Sequence, residues 1–204
     1  MPAKEIVKVW EDNSVLDSNI EFLSKPTKEV KFPLDSKSKD VINDLMDSFR
    51  KIPCAGIAAN QIGYNSRMFI GMKFEPEEKE EGEGEKEPEE DINPMDENNY
   101  EIYINPQIDE FSKKSVQEGP EGCLSIPGVN LIIERYDKIM VRYYSQEGKK
   151  IRKPLQKFIS RLFQHELDHL DGKLMVQRNV IKGYVDDEEL GKLYPNLQDK
   201  INIL

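Results

Sequence analysis

Between Val41 and Phe49 the apolar residues Val41, Ile42, Leu45, Met46 and Phe49 recur at the spacing of one helical face. The stretch from Pro33 to Ile52 is therefore predicted to hold an amphipathic helix near residues 38–50, with Ser36, Ser38 and Asp40 as candidate caps. Two stretches have strand character instead. "RMFIGMKF" (67–74) is a compact apolar run, and "NYEIYINPQI" (99–108) alternates Ile and Tyr with polar neighbours. Residues 129–145, followed by "GKKIRKPL", predict two or three antiparallel strands turning at Gln146, Glu147 and Gly148. From about Lys157 the period changes again. "KFISRLFQHELDHL" places Phe158, Ile159, Leu162, Phe163, Leu167 and Leu170 near a 3.6-residue repeat, apolar over much of the circumference, which predicts a central, buried helix. Gly172 should stop it, and residues 186–204 are expected to form a short terminal helix.

Charge divides the chain unevenly. Of the net −10, residues 75–91 ("EPEEKEEGEGEKEPEED") account for −9, with eleven acidic residues against two lysines. Such a composition cannot bury enough apolar surface to offset ordering entropy, so about 75–98 is expected to be a solvated, mobile insertion between two strands of one 204-residue domain. No cluster of Lys and Arg suits phosphate neutralisation, which argues against a nucleic-acid partner. No apolar run approaches the roughly 20 residues that span a bilayer, and the opening "MPAKEIVKVW" lacks a secretory core, so a soluble intracellular protein without a membrane partner is expected. The two cysteines, Cys54 and Cys123, are too few for a disulfide framework.

The chemistry gathers on the buried helix. Both histidines of the chain, His165 and His169, lie there one turn apart and flank Glu166. That spacing sends two imidazoles from one face toward one ion. Glu166, about 100° further round, can face a metal-bound water as general base. Catalytic metal sites generally take a third protein ligand. The candidates are Cys123, in "EGPEGCLSIPG", and the downstream carboxylates of "DDEEL" (186–190). Cys123 also fits a small buried core residue, and the two histidines fit packed imidazoles. Glu121 and Arg135 are candidates for orienting the ligands, with a strand-surface ion pair as the other reading.

Three motifs together resemble the peptide deformylase family: "GIAANQIG" (56–63), "EGCLS" (121–125) and "QHELDHLDG" (164–172). The resemblance runs from "IVKVWEDNSVL" to about Val176. It departs at Cys54, where the family's first motif begins with glycine, at Asn60, a variable position, and in the length of the acidic stretch. It implies an α+β fold with antiparallel strands wrapped around a central metal-binding helix. It implies as well a hydrolase that takes the formyl group from N-terminal formyl-methionine of nascent peptides, at the ribosome exit, releasing formate. By motif position Cys123, His165 and His169 would bind one divalent ion, usually Fe(II), with Zn(II), Ni(II) or Co(II) as replacements. Glu166 would be general base, and the Gln61 amide and the Leu124 backbone N–H would face the developing oxyanion. Gly56 and Ile57 would contact the peptide, which could pair as an added strand.

The resemblance places the reaction in bacterial cytoplasm or in an organelle with bacterial-type translation, and the Glu-rich insertion favours a plastid-like or mitochondrial setting. Two other classes fit the residues alone. One is a metalloprotease using a downstream acidic ligand, the other a non-catalytic metal- or peptide-binding module.

Overall fold

The computed structural model describes residues 3–12, 14–74 and 99–185. Among the described residues three α-helices, α1 (Asp17–Leu23), α2 (Ser36–Lys51) and α3 (Lys157–Leu170), pack with ten strands. The strands are β1 (Trp10–Glu11), β2 (Ser14–Val15), β3 (Gly56–Ala58), β4 (Met68–Met72), β5 (Tyr100–Phe111), β6 (Val116–Cys123), β7 (Ile126–Tyr136), β8 (Lys138–Tyr144), β9 (Lys150–Gln156) and β10 (Val180–Val185). They form a hairpin, β1-β2, a three-stranded sheet, β10-β7-β6, and a five-stranded sheet, β3-β4-β5-β8-β9. Every pairing is antiparallel, so the architecture is α+β as expected. None of the helices among the described residues is long and apolar enough to cross a membrane.

The β3, β4 and early β5 part of the five-stranded sheet is buried on both faces because its strands alternate. Met68, Ile70, Ile102 and Ile104 point toward α2, where Val41, Ile42, Leu45 and Phe49 close one core. Their neighbours Phe69 and Tyr103, with Val141 and Tyr143, point the other way onto Phe163, Leu167 and Leu170 of α3. Phe69 stacks on Tyr103 at 4.5 Å, and Phe163 meets both rings edge-on. A third core joins the smaller sheet to α1 through Leu23, Ile126, Leu131 and Ile133. Helix α3 thus lies between the sheets, and residues on every side of it are buried.

Several predicted elements shift in detail. Helix α2 begins at Ser36, and its cap is Asp35, whose carboxylate accepts from the Ser38 N–H at 2.8 Å; Ser36, Ser38 and Asp40 all lie within the helix. The two or three strands expected over 129–145 and "GKKIRKPL" are three, and the first of them, β7, belongs to a different sheet from β8 and β9. The chain changes sheet at Asp137, whose N–H donates to the Ser115 carbonyl at 2.8 Å and whose carbonyl accepts from Lys157 N–H at 2.9 Å. Strands β4 and β5 pair directly, so the acidic insertion joins neighbours; it lies outside the described residues, as does the expected terminal helix. The short β3, the glycine-bearing β6, α1 and β10 carry too little periodicity to be read from sequence alone.

Gly172 ends the region of α3 in a left-handed conformation, φ +71°, and a Cβ there would lie 2.5 Å from the Ser24 carbonyl oxygen. Gly63 also has a positive φ, +86°, yet a Cβ would meet nothing within 4 Å. Gly172→Ala should therefore cost about 2–4 kcal/mol, strain plus backbone displacement, while Gly63→Ala costs only about 1 kcal/mol for strain. Urea denaturation of the two variants measures the difference; equal losses would contradict it.

Candidate metal centre

Helix α3 delivers His165 and His169 from one face, their rings 5.0 Å apart and nearly perpendicular. The turn between β6 and β7 brings Cys123 against them. One ligand atom from each of Cys123, His165 and His169 lies within 4.8 Å of the others, and among the described residues this is the only such group of three. Cys123 Sγ is 3.2 Å from His169 Nε2. His165 turns Nδ1 to Glu121 at 2.9 Å, which leaves Nε2 for the cluster. One thiolate and two imidazoles form a soft, compact donor set that suits Fe(II), Zn(II), Co(II) or Ni(II). The carboxylates at 186–190, the other source of a third ligand, lie outside the described residues.

In the metal-free protein the electrostatics favour a thiolate at Cys123 and a protonated ring at His165, whose proton a metal would displace. Burial opposes the Cys123 thiolate, yet the two histidines outweigh it and bring the thiol down to about 5. Burial likewise opposes His165 as a cation, but Cys123 and Glu121 push it up to about 10. Glu121 is buried, and burial alone would raise its pKa. Arg135 and His165 reverse that and hold it well below the usual carboxylate range. Arg135 grips Glu121 with two bonds of 2.8 Å, so the sequence reading of an orienting pair holds and the surface-pair alternative fails, because both groups are buried.

A further guanidinium was missed by sequence reasoning. Arg161, one turn before His165 on α3, donates to Glu121 Oε1 at 2.8 Å and to the carbonyls of Gly119, Ile133 and Gln117. A Cβ at Gly119 would sit 3.0 Å from that guanidinium, so the glycine makes its room. No sequence signal marked it, because an arginine on a helix reads as a surface residue until the fold places a buried anion beside it. Asp168, also missed, accepts from Arg135 at 2.5 Å and from Arg178 Nε at 2.6 Å.

The remaining predicted residues surround the cluster. Gln61, in the 3-10 turn Ala59–Ile62 after β3, accepts from the Ala58 N–H through Oε1 at 2.9 Å. That bond fixes the amide, so Nε2 faces Cys123 Sγ at 3.6 Å and Ser125 Oγ at 3.3 Å. Strap residues hold both loops from behind: Val7 N–H donates to the Gln61 carbonyl at 2.8 Å and Val9 N–H to that of Ser125 at 2.9 Å. Glu166 is buried, and burial foremost raises its pKa; its Oε2 has no hydrogen-bond partner.

Gly56 lies against it. A Cβ there would meet Glu166 Oε1 at 2.8 Å and Leu162 Cδ1 at 2.9 Å, so Gly56 is required by the glutamate as much as by any ligand. Leu124, Gly56 and Cys54 line a cavity of about 500 Å³ together with Glu121, His165 and Glu166. Ile57 does not line it: strand alternation sends its side chain, 0% exposed, into the α2 core, so a substrate contact there is limited to its main chain. Cys54 in the cavity wall is a poor nucleophile, since burial and the Glu166 charge push its thiol up to about 12.

Comparison with known proteins gives concordant matches. A family profile described as Polypeptide deformylase matches residues 13–183. A peptide deformylase of Aquifex aeolicus is 34% identical over 164 residues, 80% of this chain and 84% of that protein. One of Elusimicrobium minutum is 34% identical over 177 residues, covering 86% and 87% of the two chains. The crystal structure of peptide deformylase from Plasmodium falciparum superposes with a TM-score of 0.67 at 27% identity, over 96% of this chain and 94% of that one.

The thiol pair yields a direct test. In metal-free protein at about pH 7, iodoacetamide should alkylate Cys123 at least about tenfold faster than Cys54, because only the thiolate reacts, and stoichiometric Zn(II) should protect Cys123. Peptide mapping by mass spectrometry reads both sites. Faster labelling of Cys54 would contradict the assigned environments.

Proposed function

The chain belongs to the polypeptide deformylase family, metal-dependent hydrolases that act on formylated nascent peptides, and from that premise we propose how its residues divide the work. The observation that carries the proposal is the convergence of Cys123, His165 and His169 beside Glu166 on a cavity reached from two sheet edges. Cys123, His165 and His169 would hold the ion, the histidines through Nε2. Fe(II) is the native metal in this reading, with Zn(II), Ni(II) or Co(II) able to replace it, because one thiolate and two imidazoles accept all four. A divalent ion in such a site supplies Lewis acidity, lowering the pKa of water it binds from about 16 towards about 7.

Glu166 moves the proton. Its buried position keeps the pKa raised, closer to that of the groups with which it exchanges, and its unpartnered Oε2 is available to accept. It takes the proton as oxygen adds to the formyl carbon, then gives it to the departing amine nitrogen as the C–N bond breaks. The products are formate and a free N-terminus. Gln61 Nε2, locked by the Ala58 N–H, donates to the formyl oxygen as charge develops there, and the Leu124 N–H at the cavity wall is the second donor. One such donor is worth roughly 3–4 kcal/mol of barrier.

The peptide lies between edges. Strand β3 is the outer strand of the five-stranded sheet and β6 that of the three-stranded sheet, and both contribute residues to the cavity, Gly56 from one and Pro120 to Cys123 from the other. An extended formyl-methionyl peptide can add to such an edge as a strand. The methionine side chain is met by the apolar wall of Phe158 and Leu162, which Cys54 narrows. The setting we propose is a compartment whose translation starts with formyl-methionine, an organelle with bacterial-type translation being preferred on the acidic insertion, with the enzyme meeting chains as they leave the ribosome.

The test is formate release from formyl-Met-Ala-Ser by protein prepared anaerobically with Fe(II), beside Glu166→Ala. The wild type should turn over, and the variant should keep stoichiometric metal while kcat falls about 10²–10⁴-fold. A fully active, metal-loaded Glu166→Ala protein would refute the role given to Glu166.

A further inference from the structure

His165 has an acceptor for the ring nitrogen that faces away from the cluster, namely Glu121 at 2.9 Å. His169 has none: its Nδ1 is buried without a hydrogen-bond partner, and the ring is 1% exposed. Two other buried atoms among the described residues share this condition: Glu166 Oε2, on a residue that lines the cavity, and an oxygen of Asn60. Asn60, also 1% exposed, donates through Nδ2 to the backbone carbonyl of His169 at 2.6 Å, while its Oδ1 has no partner. The orientation of that amide is not free, because a carbonyl only accepts and the nitrogen must face it. Its oxygen is therefore the end left over, beside the residue whose ring N–H is left over.

A buried donor and a buried acceptor held on the same residue pair rarely stay unpaired, since each forfeits the hydrogen bonds it had in water. A histidine that gives Nε2 to a metal also carries its proton on Nδ1, and that N–H normally has a fixed acceptor. We infer that Asn60 is the positioning residue of His169: its Oδ1 accepts the Nδ1–H of the metal-bound ring through one buried water, and so fixes the tautomer and ring orientation. The two ligand histidines would then be held by different chemistry, His165 by a carboxylate and His169 by a neutral amide. This rests on Cys123, His165 and His169 being the metal ligands.

A competing role is purely structural. The His169 carbonyl belongs to the last turn of α3, where it also accepts from Gly172 N–H at 3.1 Å, so Asn60 caps a helix end. Capping uses the amide nitrogen, whereas orienting the ring uses the oxygen, and substitution separates them. Zinc affinity is measured by chelator competition on full-length wild type, Asn60→Leu and Asn60→Asp, together with the thermal midpoint of each metal-free protein.

Asn60→Leu should weaken zinc binding about 10–100-fold, and Asn60→Asp, which keeps an acceptor, should stay within about threefold of wild type. Unchanged affinity in Asn60→Leu, whatever its thermal midpoint, overturns the inference and leaves a helix cap. Equal weakening in both variants overturns it too, because the donor would then be what matters. A measurement on the wild type removes dependence on variant folding. Nitrogen-15 NMR of the zinc form should show His169 protonated at Nδ1 with that proton slow to exchange; a rapidly exchanging proton or an Nδ1-bound metal overturns it. Wild type that binds no zinc would instead remove the ligand assignment itself.

Discussion

Glu121 is a carboxylate taken out of water and surrounded by cations, and the architecture around α3 is arranged to keep it so. Two bonds from Arg135 on β7, one from Arg161 on α3 and one from His165 meet its two oxygens, tying the smaller sheet to α3. Burying such a charge without partners would cost several kcal/mol, and breaking one member of a buried pair commonly costs about 3–5 kcal/mol. The network extends outward, since Arg135 also reaches Asp168, which Arg178 holds from the other side. Its effect at the site is geometric: His165 cannot rotate without leaving Glu121, so its Nε2 stays aimed at the cluster.

The remaining parts follow from keeping that helix central and dry. Sheet alternation presents Phe69, Tyr103 and Tyr143 to one side of α3, and the smaller sheet covers another. The open approach lies between two unpaired strand edges, where Gly56 carries no Cβ that would collide with Glu166. A carboxylate at a buried position, a locked amide at Gln61 and a thiol polarised at Cys123 are each produced by packing. In the reaction proposed above this would be preorganisation, with donors aimed where charge develops.

Much of this was legible in the residues. The 3.6-residue period gave α3 and α2 nearly to their ends, and strand runs gave β4, β5, β8 and β9, because long amphipathic or strongly apolar elements record their environment directly. The histidine pair that the structure brings beside Cys123 was legible as a candidate because two histidines four apart on an apolar helix have few other uses. Strand β6 was not, since Gly119, Pro120 and Gly122 read as a loop; their smallness serves Arg161 and the cavity rather than the ladder. Arg161 escaped because an arginine in a helix reads as surface until the fold supplies Glu121. Asp35 was passed over as a cap because serines one and three residues later match the same signal. Ile57 was placed at the substrate by motif, yet a two-residue period sends its side chain to the opposite face from Gly56 and Ala58.

The central claim is that one sulfur and two imidazoles, brought from β6 and α3 by this network, hold the ion. X-ray absorption at the zinc edge of the Zn(II)-loaded protein measures it directly. The account predicts one sulfur scatterer at about 2.3 Å and two imidazole nitrogens at about 2.0–2.1 Å, with the sulfur lost in Cys123→Asp. A zinc shell with no sulfur in the wild type would contradict it.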